Sequence, residues 1–363
     1  MKFRDIAEEL GVSIATVSRV YNGQKGVGEK TRKKIEKVLE ANDYCIDAGT
    51  RNRALNGIEK KNFALITFIL YEGGNHNIER NEDCFARILM GAERRAKELG
   101  YVLSIVHIKS EDFEEFITSS REIKISKGAL LFASEINTEK FNSLKKCNIP
   151  IVMIDNEMGF YSYNTVAADG RQGTYTALEY LKFLGHKKIG LLGPLCPMGG
   201  LSLREESYYE AMYRMGFRIN ENHIVKLDHV LDAGIKQMDR YLTNNKDLPT
   251  AYFAVNDAIG IAAMISLKKH GYNIPEDISI IGFDDSNIGN SSKPRLTTMR
   301  IDFTRIGVIS INRLDDVIRG DNSVLHVYME TPLLVKESTA RPGRMDSKSA
   351  FEPDIVNWKN KSI

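Results

Sequence analysis

The chain has 363 residues, of which 42% are hydrophobic and 27% charged, and its formal net charge is +2. These proportions are typical of a globular protein with a substantial core, and the length allows a small module beside one or two larger domains. No stretch approaches the roughly eighteen apolar residues of a bilayer-spanning helix. The charged start, Met1–Asp5, is not a secretory signal, so we expect no membrane association.

The four cysteines are widely scattered and form no paired motif. They are Cys45, Cys84, Cys147 and Cys196. This spacing favours reduced thiols in a cytoplasmic protein over disulfides or a zinc site. We therefore predict no cofactor and no metal.

Three short helices around a tight turn are predicted at the amino terminus: Phe3–Leu10, Ser13–Asn22 and Glu29–Ala41. Gly11 tolerates the positive φ that such a turn needs, and Ser13 is a good N-cap for the second helix. Apolar residues at helical spacing supply a small shared core. These are Ile6, Ala7, Leu10, Val12, Val17, Val20, Ile35, Val38 and Leu39.

The second helix then exposes Ile14, Ala15, Ser18, Arg19 and Asn22. Small, polar and basic side chains at the start of a helix suit the major groove of DNA. The alternative is an ordinary helical cap on a larger domain. The charge distribution favours DNA, because residues 1–61 hold thirteen Lys and Arg against nine Asp and Glu, while the rest holds 37 against 39.

The residue identities in this segment are more specific than its helical pattern alone. Gly11–Gly23, preceded by Asp5-Ile6-Ala7 and followed by Thr31-Arg32, resembles the headpiece of the LacI/GalR family of bacterial repressors. The resemblance implies that Arg19 reads a guanine edge, the alternatives being a phosphate contact or a surface ion pair. It also implies that Ile14 and Ala15 lie at positions that vary with operator choice. Because both are apolar, they could contact only thymine methyls or other nonpolar edges.

Four polar residues of the head could contact the DNA backbone: Ser13, Thr16, Ser18 and Asn22. Each could equally be a cap or a turn residue. The resemblance also implies a homodimer, whose two heads would read a pseudo-palindromic operator in double-stranded DNA.

The linker departs from the family pattern. The family has a Pro-Asn pair after a tyrosine, then a short helix whose leucine enters the minor groove. Here Tyr44 is followed by Cys45, Ile46 and Asp47, and Arg53 stands at the usual leucine spacing, with Leu55 two residues later. Either Leu55 is a shifted wedge, or Arg53 enters a narrow minor groove electrostatically.

Beyond the linker, apolar strands alternate with amphipathic helices, which predicts parallel sheets covered on both faces. The predicted strands are Phe63–Ile69, Tyr101–Ile108, Ala129–Ala133, Ile149–Ile154, Lys188–Leu192, Ala251–Val255 and Ile278–Phe283. The predicted helices are Cys84–Leu99, Arg171–Leu184, Leu203–Met215, Asp232–Thr243, Asp257–His270 and Thr304–Arg319. A body of about 280 residues is too large for one compact core, so we expect two lobes.

The resemblance extends over this body, from Lys2 to Arg341. Its blocks are Asp169-Gly170, Leu184–Ile189, Asn256-Asp257, Pro275–Asp285 and Leu296–Met299. It implies a small all-α helix-turn-helix headpiece plus an α/β two-lobed core of the type I periplasmic-binding-protein-like fold. We therefore expect a DNA-binding headpiece at 1–45, a hinge at 46–61, an effector-binding and dimerisation domain at 62–341, and a tail at 342–363.

Polar residues follow three predicted strands, at the edge where ligands of parallel sheets bind. They are Asp155, the pair Asn256-Asp257 and the pair Asp284-Asp285. The family resemblance implies that Arg204, Asn256 and Asp284 bind the hydroxyls of a small sugar, with Asp155 from the first lobe. Asp and Asn at strand ends also cap helices, which we expect of Asp257.

The region Tyr71–Asp83 is predicted to be a long polar loop that reshapes the mouth of the ligand site, with Phe85 as its retained aromatic. Two carboxylates and one Arg favour a neutral sugar over a phosphorylated one. The predicted function is a sugar-responsive transcriptional regulator. The rival functions are a sugar-binding protein without a DNA role and an enzyme, but no catalytic motif supports the latter.

Overall fold

The computed structural model describes residues 3–21, 26–41, 64–73, 82–132, 134–136, 138–155, 162–196 and 199–343. The chain divides into two compact units, Met1–Phe63 and Ala64–Ile363. The predicted hinge, with Arg53 and Leu55, lies outside the described residues, and so does the tail from 344 onwards. The finer boundaries expected from the sequence remain predictions.

The first unit contains three helices: α1 (Phe3–Leu10), α2 (Ile14–Tyr21) and α3 (Glu29–Ala41). Gly11 has φ +63°, as the turn between α1 and α2 requires. Ser13 precedes α2, and its Oγ accepts a hydrogen bond from the Thr16 N–H at 3.1 Å, so Ser13 acts as the predicted N-cap. The predicted apolar residues pack together, with Ile6, Val17, Val20, Ile35 and Leu39 fully buried.

The second unit holds two six-stranded sheets. Its strands are β1 (Ala64–Glu72), β2 (Tyr101–Lys109), β3 (Ser126–Phe132), β4 (Ile151–Ile154), β5 (Asn164–Ala168), β6 (Ile189–Pro194), β7 (Ile224–Leu227), β8 (Ala251–Ala254), β9 (Ser279–Asp284), β10 (Thr297–Arg300), β11 (His326–Met329) and β12 (Leu333–Leu334). Its helices are α4 (Glu82–Glu98), α5 (Phe113–Ser119), α6 (Arg121–Ile125), α7 (Thr138–Leu144), α8 (Gly170–Leu184), α9 (Gly199–Arg214), α10 (Leu231–Asn244), α11 (Asp257–Lys269), α12 (Asn287–Ser291) and α13 (Phe303–Ile318), with a 3₁₀ turn at Glu221–His223.

The first sheet has the order β11-β5-β4-β3-β1-β2, and the second has the order β12-β10-β9-β8-β6-β7. The pairings are parallel except that of β10 with β12. In the first sheet Ala64 lies opposite Tyr101, and in the second Thr297 lies opposite Ile281. The expectation of parallel sheets covered by helices is confirmed.

Each sheet forms one lobe, and the chain passes between the lobes three times. It leaves the first lobe after β5, returns to it after β10 through α13, and crosses again between β11 and β12. Helix α13 therefore packs on α4 and on β3, β4 and β5 although it follows the second lobe in sequence. These crossings place the carboxyl ends of both sets of strands around one cleft.

Several expected elements differ from the structure. Tyr71 and Glu72 are the last residues of β1 rather than part of a loop, because Tyr71 is buried and its ring packs on Phe113. Asp83 lies in the first turn of α4 rather than in that loop. Phe85 packs against Phe68 and Phe132 in the interior, which places it in the core of the lobe.

The sequence also missed four strands of four or five residues: Asn164–Ala168, Ile224–Leu227, Thr297–Arg300 and His326–Met329. Within the described ranges Cys84, Cys147 and Cys196 are free thiols. In the same ranges, none of the helices combines the length and apolar character needed to cross a bilayer.

Candidate functional site

A cavity of about 50 Å³ lies between the two lobes, where the carboxyl ends of their strands meet. The described lining residues are Cys84, Phe132, Ser134, Asp155, Gly200, Leu201, Arg204, Asn256, Asp284 and Phe303. The structure therefore brings together all four residues predicted to bind an effector.

Arg204 lies in the second turn of α9 and is only 5% exposed. Its Nη1 donates to the carbonyl oxygen of Val255 at 2.7 Å and to Oδ1 of Asp284 at 3.0 Å. Its guanidinium carbon lies 4.0 Å from the centre of the Phe283 ring. Two hydrogen bonds and a stacked ring hold the planar group in one orientation.

The buried Nε of Arg204 has no hydrogen-bond partner among the described residues. A buried donor left without an acceptor costs about 1–3 kcal/mol. An acceptor atom on a molecule bound beside Arg204 would therefore stabilise this side chain.

Asp155 and Asp284 contribute two carboxylates from opposite lobes. Asp155 directly follows β4, and Asp284 ends β9. Their φ angles are +58° and +118°, a region that non-glycine residues occupy at a cost of about 1–3 kcal/mol each. Such backbone strain is often found at binding sites, where the surrounding structure must support it.

Burial raises the pKa of both carboxyl groups to about 6. The positive charge of Arg204 opposes this rise at each, whereas the charge of Asp155 adds to it at Asp284. Both groups therefore titrate within reach of neutral pH, and at pH 7 the cavity carries more negative than positive charge.

Asn256 is 4% exposed and precedes α11. Its side-chain oxygen accepts a hydrogen bond from the Ile259 N–H at 2.9 Å, so Asn256 is the N-cap. The expectation that Asp257 caps this helix is wrong. Asp257 is the first residue of the helix, and its carboxylate instead accepts hydrogen bonds from Ser286 and Thr298.

Cys84, Phe132, Leu201 and Phe303 form an apolar part of the cavity wall that the sequence did not reveal. Phe132 ends β3, and Phe303 begins α13. Phe132 could have been found from its place at a strand end. Cys84 and Phe303 carry no such signal, because their roles depend on which helix termini meet at the cleft.

The face of α2 that is predicted to read DNA is partly exposed. Ile14 is 50% exposed, Ala15 and Arg19 are exposed, and Thr16 and Ser18 are half-buried. Ser13 Oγ also lies 2.8 Å from Thr16 Oγ1, so capping already engages both hydroxyls. Asn22 lies outside the described residues.

Two family models match the chain. Residues 2–46 match the model described as "Bacterial regulatory proteins, lacI family", and residues 178–339 match the model of a periplasmic binding protein-like domain. The chain therefore joins a lacI-family helix-turn-helix domain to a periplasmic binding protein-like domain. The match at the head decides against a sugar-binding protein without a DNA role, and the chain is a DNA-binding transcriptional regulator.

Curated relatives agree over nearly the full length. The HTH-type transcriptional repressor PurR of Photobacterium profundum is 27% identical over 338 residues, which cover 92% of this chain and 96% of the relative. The relatives are transcriptional regulators rather than enzymes.

Solved structures share the fold. The Lac repressor dimer bound to operator and the anti-inducer ONPF has a TM-score of 0.67 and 24% identity, covering 94% of this chain and 99% of that one. The complex of the transcriptional regulator CelR with cellobiose has a TM-score of 0.65 and 23% identity, covering 93% and 99%. The expected helix-turn-helix head and two-lobed core are thereby confirmed.

Proposed function

We propose that this LacI-family protein is a cytoplasmic, homodimeric repressor of a sugar-utilisation operon, controlled by a small sugar bound between its lobes. The observation that carries the proposal is the convergence of Asp155, Arg204, Asn256 and Asp284 on one cavity. In this proposal residues 1–45 bind DNA, 46–61 form the hinge, and 62–341 bind the effector and dimerise. It includes no cofactor and no enzymatic step.

The chemistry of the cavity suits a neutral, polyhydroxylated molecule. Carboxylate, amide and guanidinium groups exchange paired hydrogen bonds with vicinal hydroxyls in fixed directions. Arg204 already shares its charge with Asp284, and Asp155 adds a second carboxylate, so a phosphorylated or acidic sugar would meet net repulsion. The apolar patch of Phe132, Leu201 and Phe303 can cover the C–H face of a sugar ring.

The exposed face of α2 would enter the major groove. Arg19 would donate two hydrogen bonds to a guanine, a contact worth about 1–3 kcal/mol of discrimination. Ile14 and Ala15 would touch nonpolar base edges, while Ser13, Thr16, Ser18 and Asn22 would contact the DNA backbone. In the hinge, Leu55 or Arg53 would enter the minor groove at the centre of a pseudo-palindromic site.

The two sites would be coupled through closure of the lobes. An effector that binds better to one arrangement of the lobes shifts the population towards it, and a coupling of a few kcal/mol changes operator occupancy greatly. Family resemblance favours release of DNA when the sugar binds.

The first test is binding. The purified protein is mixed with promoter fragments from its own genome at low ionic strength, with and without cellobiose, glucose, ribose, sucrose and their phosphorylated counterparts. We expect a mobility shift that a neutral sugar alters, and a thermal-shift increase with the same sugar. Absence of any DNA binding with and without the sugars would overturn the proposal.

A second test addresses Arg19. The Arg19→Ala variant should relax the preference at one base pair in each half-site, by about 1–3 kcal/mol. Lys37→Ala, which removes an exposed charge from α3, is the matched control for charge alone. Equal weakening on all operator sequences would show that Arg19 contacts only phosphate.

A further inference from the structure

Asp257 is a buried carboxylate that does not line the cavity but lies directly behind it. It has no exposed surface. Its Oδ1 accepts a hydrogen bond from Thr298 Oγ1 at 2.6 Å. Its Oδ2 accepts two more, from the Ser286 N–H at 2.7 Å and from Ser286 Oγ at 2.9 Å.

These bonds hold the segment that carries Asp284 into the cavity. Ser286 follows Asp284 by two residues, and the two residues Asp284 and Asp285 both have positive φ, at +118° and +57°. Two consecutive non-glycine residues in this region persist only where neighbouring groups fix the backbone. Asp257 supplies that constraint from the start of α11.

The same arrangement separates the two adjacent aspartates. Asp284 Oδ1 faces Arg204 and the cavity, whereas Asp285 Oδ1 pairs with Lys336 Nζ at 2.8 Å and accepts a bond from Asn290 at 3.1 Å. Rotation of the turn would exchange or withdraw these side chains. The anchoring of Ser286 therefore decides which carboxylate reaches the effector.

The chain makes room for this carboxylate with two glycines. A Cβ on Gly282 would lie 2.3 Å from Asp257 Oδ1, and a Cβ on Gly289 would lie 3.0 Å from Oδ2. Gly282 belongs to β9 and Gly289 to α12, so both elements next to the turn are shaped around Asp257. Burial, followed by the charge of Asp284, raises the pKa of Asp257 to about 7, whereas the bonds from Thr298 and Ser286 favour its charged form.

We propose that Asp257 is a positioning residue for effector recognition, which acts through Asp284 by fixing the Asp284–Ser286 turn. This inference rests on the proposed function for the identity of the cavity as the effector site. Asp257 itself touches no effector atom. Its removal therefore weakens effector binding without changing what the head does to DNA.

The test compares Asp257→Asn, Asp284→Asn and the double variant. In Asp257→Asn, the Asn keeps one oxygen that can accept from Ser286, but Thr298 Oγ1 then has to accept from the Asn N–H₂ instead of donating, and every bond loses the strengthening that a charged acceptor gives. We expect its affinity for the best-binding sugar among cellobiose, glucose, ribose and sucrose to fall at least tenfold. Operator affinity without sugar should stay within twofold of the wild type.

The double variant separates positioning from mere structural support. If Asp257 acts through Asp284, then Asp257→Asn adds less than a threefold further loss once Asp284 is already Asn. If the fold-loss in sugar affinity of the double variant equals the product of the losses of the two single variants, the inference is overturned. Asp315→Asn, which removes a buried carboxylate bonded to Tyr101 and Arg319 in α13, is the control and should leave sugar affinity unchanged.

A milder variant and a sugar-independent measurement complete the design. Thr298→Val preserves shape and removes the bond to Oδ1, together with the longer contacts of Thr298 Oγ1 with the Asp285 N–H at 3.5 Å and the Met299 carbonyl at 3.4 Å. It should reduce sugar affinity several-fold if Asp257→Asn fails to fold. Hydrogen exchange of the Ser286 amide should accelerate in Asp257→Asn relative to the core of α11; unchanged exchange would refute the positioning role. If the wild type binds none of the four sugars, the proposed function fails on this panel, while the exchange result still decides this inference.

Discussion

The two lobes furnish the cavity in opposite ways. The second lobe supplies Arg204, Asn256 and Asp284, whose side chains are hydrogen-bonded to the protein. The first lobe supplies an apolar surface from Cys84, Phe132 and Phe303, and one carboxylate, Asp155, that forms no ion pair with any described residue. The wall from the second lobe is a fixed set of hydrogen-bonding groups, which we call the template. The wall from the first lobe is a mainly apolar surface, which we call the cover.

This difference assigns separate tasks to the lobes. A template whose groups already hold each other loses little conformational entropy when an effector binds, so the second lobe should dominate affinity and orientation. The cover contributes mainly when it closes, so the first lobe should dominate the link between binding and lobe movement.

The largest effect is expected for Arg204→Ala, which removes the centre of the template. It deletes two hydrogen bonds and leaves Asp284 buried without its partner, and such truncations cost about 2–5 kcal/mol. Sugar affinity measured by calorimetry should therefore fall by about 30-fold or more. Sugar-free operator binding is the internal control, and a loss of less than threefold would show that the template is not dominant.

The cover is tested by Gly199→Ala. Gly199 begins α9 in the second lobe, and its N–H donates to the carbonyl of Ser134 in the first lobe at 2.9 Å. An added Cβ would lie 2.9 Å from that oxygen and 3.2 Å from the carbonyl oxygen of Asp155. Because both contacts are backbone, the methyl group should hold the lobes apart.

We expect Gly199→Ala to reduce sugar affinity by about tenfold, in line with the 1–3 kcal/mol of typical overpacking, and to weaken the effect of sugar on operator binding. Gly193→Ala is the matched control, since its new Cβ would meet Leu191 and Lys226 at an ordinary 3.5 Å. Normal sugar response in Gly199→Ala would contradict the role of the cover.

The smallest effect is a pH dependence of sugar binding. Burial raises the pKa of Asp155 and Asp284 to about 6, and sugar hydroxyls donate to the charged carboxylates, so binding favours the deprotonated forms. Affinity should be greatest above pH 7 and should fall several-fold as the pH drops from 7 to 5. Asp155→Asn should flatten part of this profile, whereas a flat wild-type profile would show that neither carboxylate accepts from the sugar.

The two walls of the cavity also differ in how far the sequence predicts their residues. Asn256 and Asp284 lie at the ends of apolar strands, so their place at the cavity edge was predictable from the pattern. Arg204 was predictable from the family resemblance. The apolar wall was not, because Phe303 reaches the first lobe only through the crossing after β10. The strand Thr297–Arg300 was missed since it starts with two threonines, which are buried and satisfied by Asp257, Thr339 and neighbouring backbone.

In the head, by contrast, the sequence predicts most of the local structure. Its helices, turn and N-cap were predictable because they depend on neighbours within a few residues, such as Ser13 and Thr16.

In the second lobe, the sequence predicts Asp257 rather than Asn256 as the cap of α11, because both residue types are good caps. Only the long-range bonds to Ser286 and Thr298 show that Asp257 serves another purpose.

The three passages of the chain between the sheets limit how this regulator can be re-engineered. Neither lobe is a contiguous stretch, since α13 and β11 of the first lobe follow β10 of the second, and β12 of the second lobe follows β11. Chimaeras that borrow a new sensor should therefore transplant residues 64–343 whole. A graft of one lobe alone would sever a sheet from its outer strand and leave α4 without the helix that covers it.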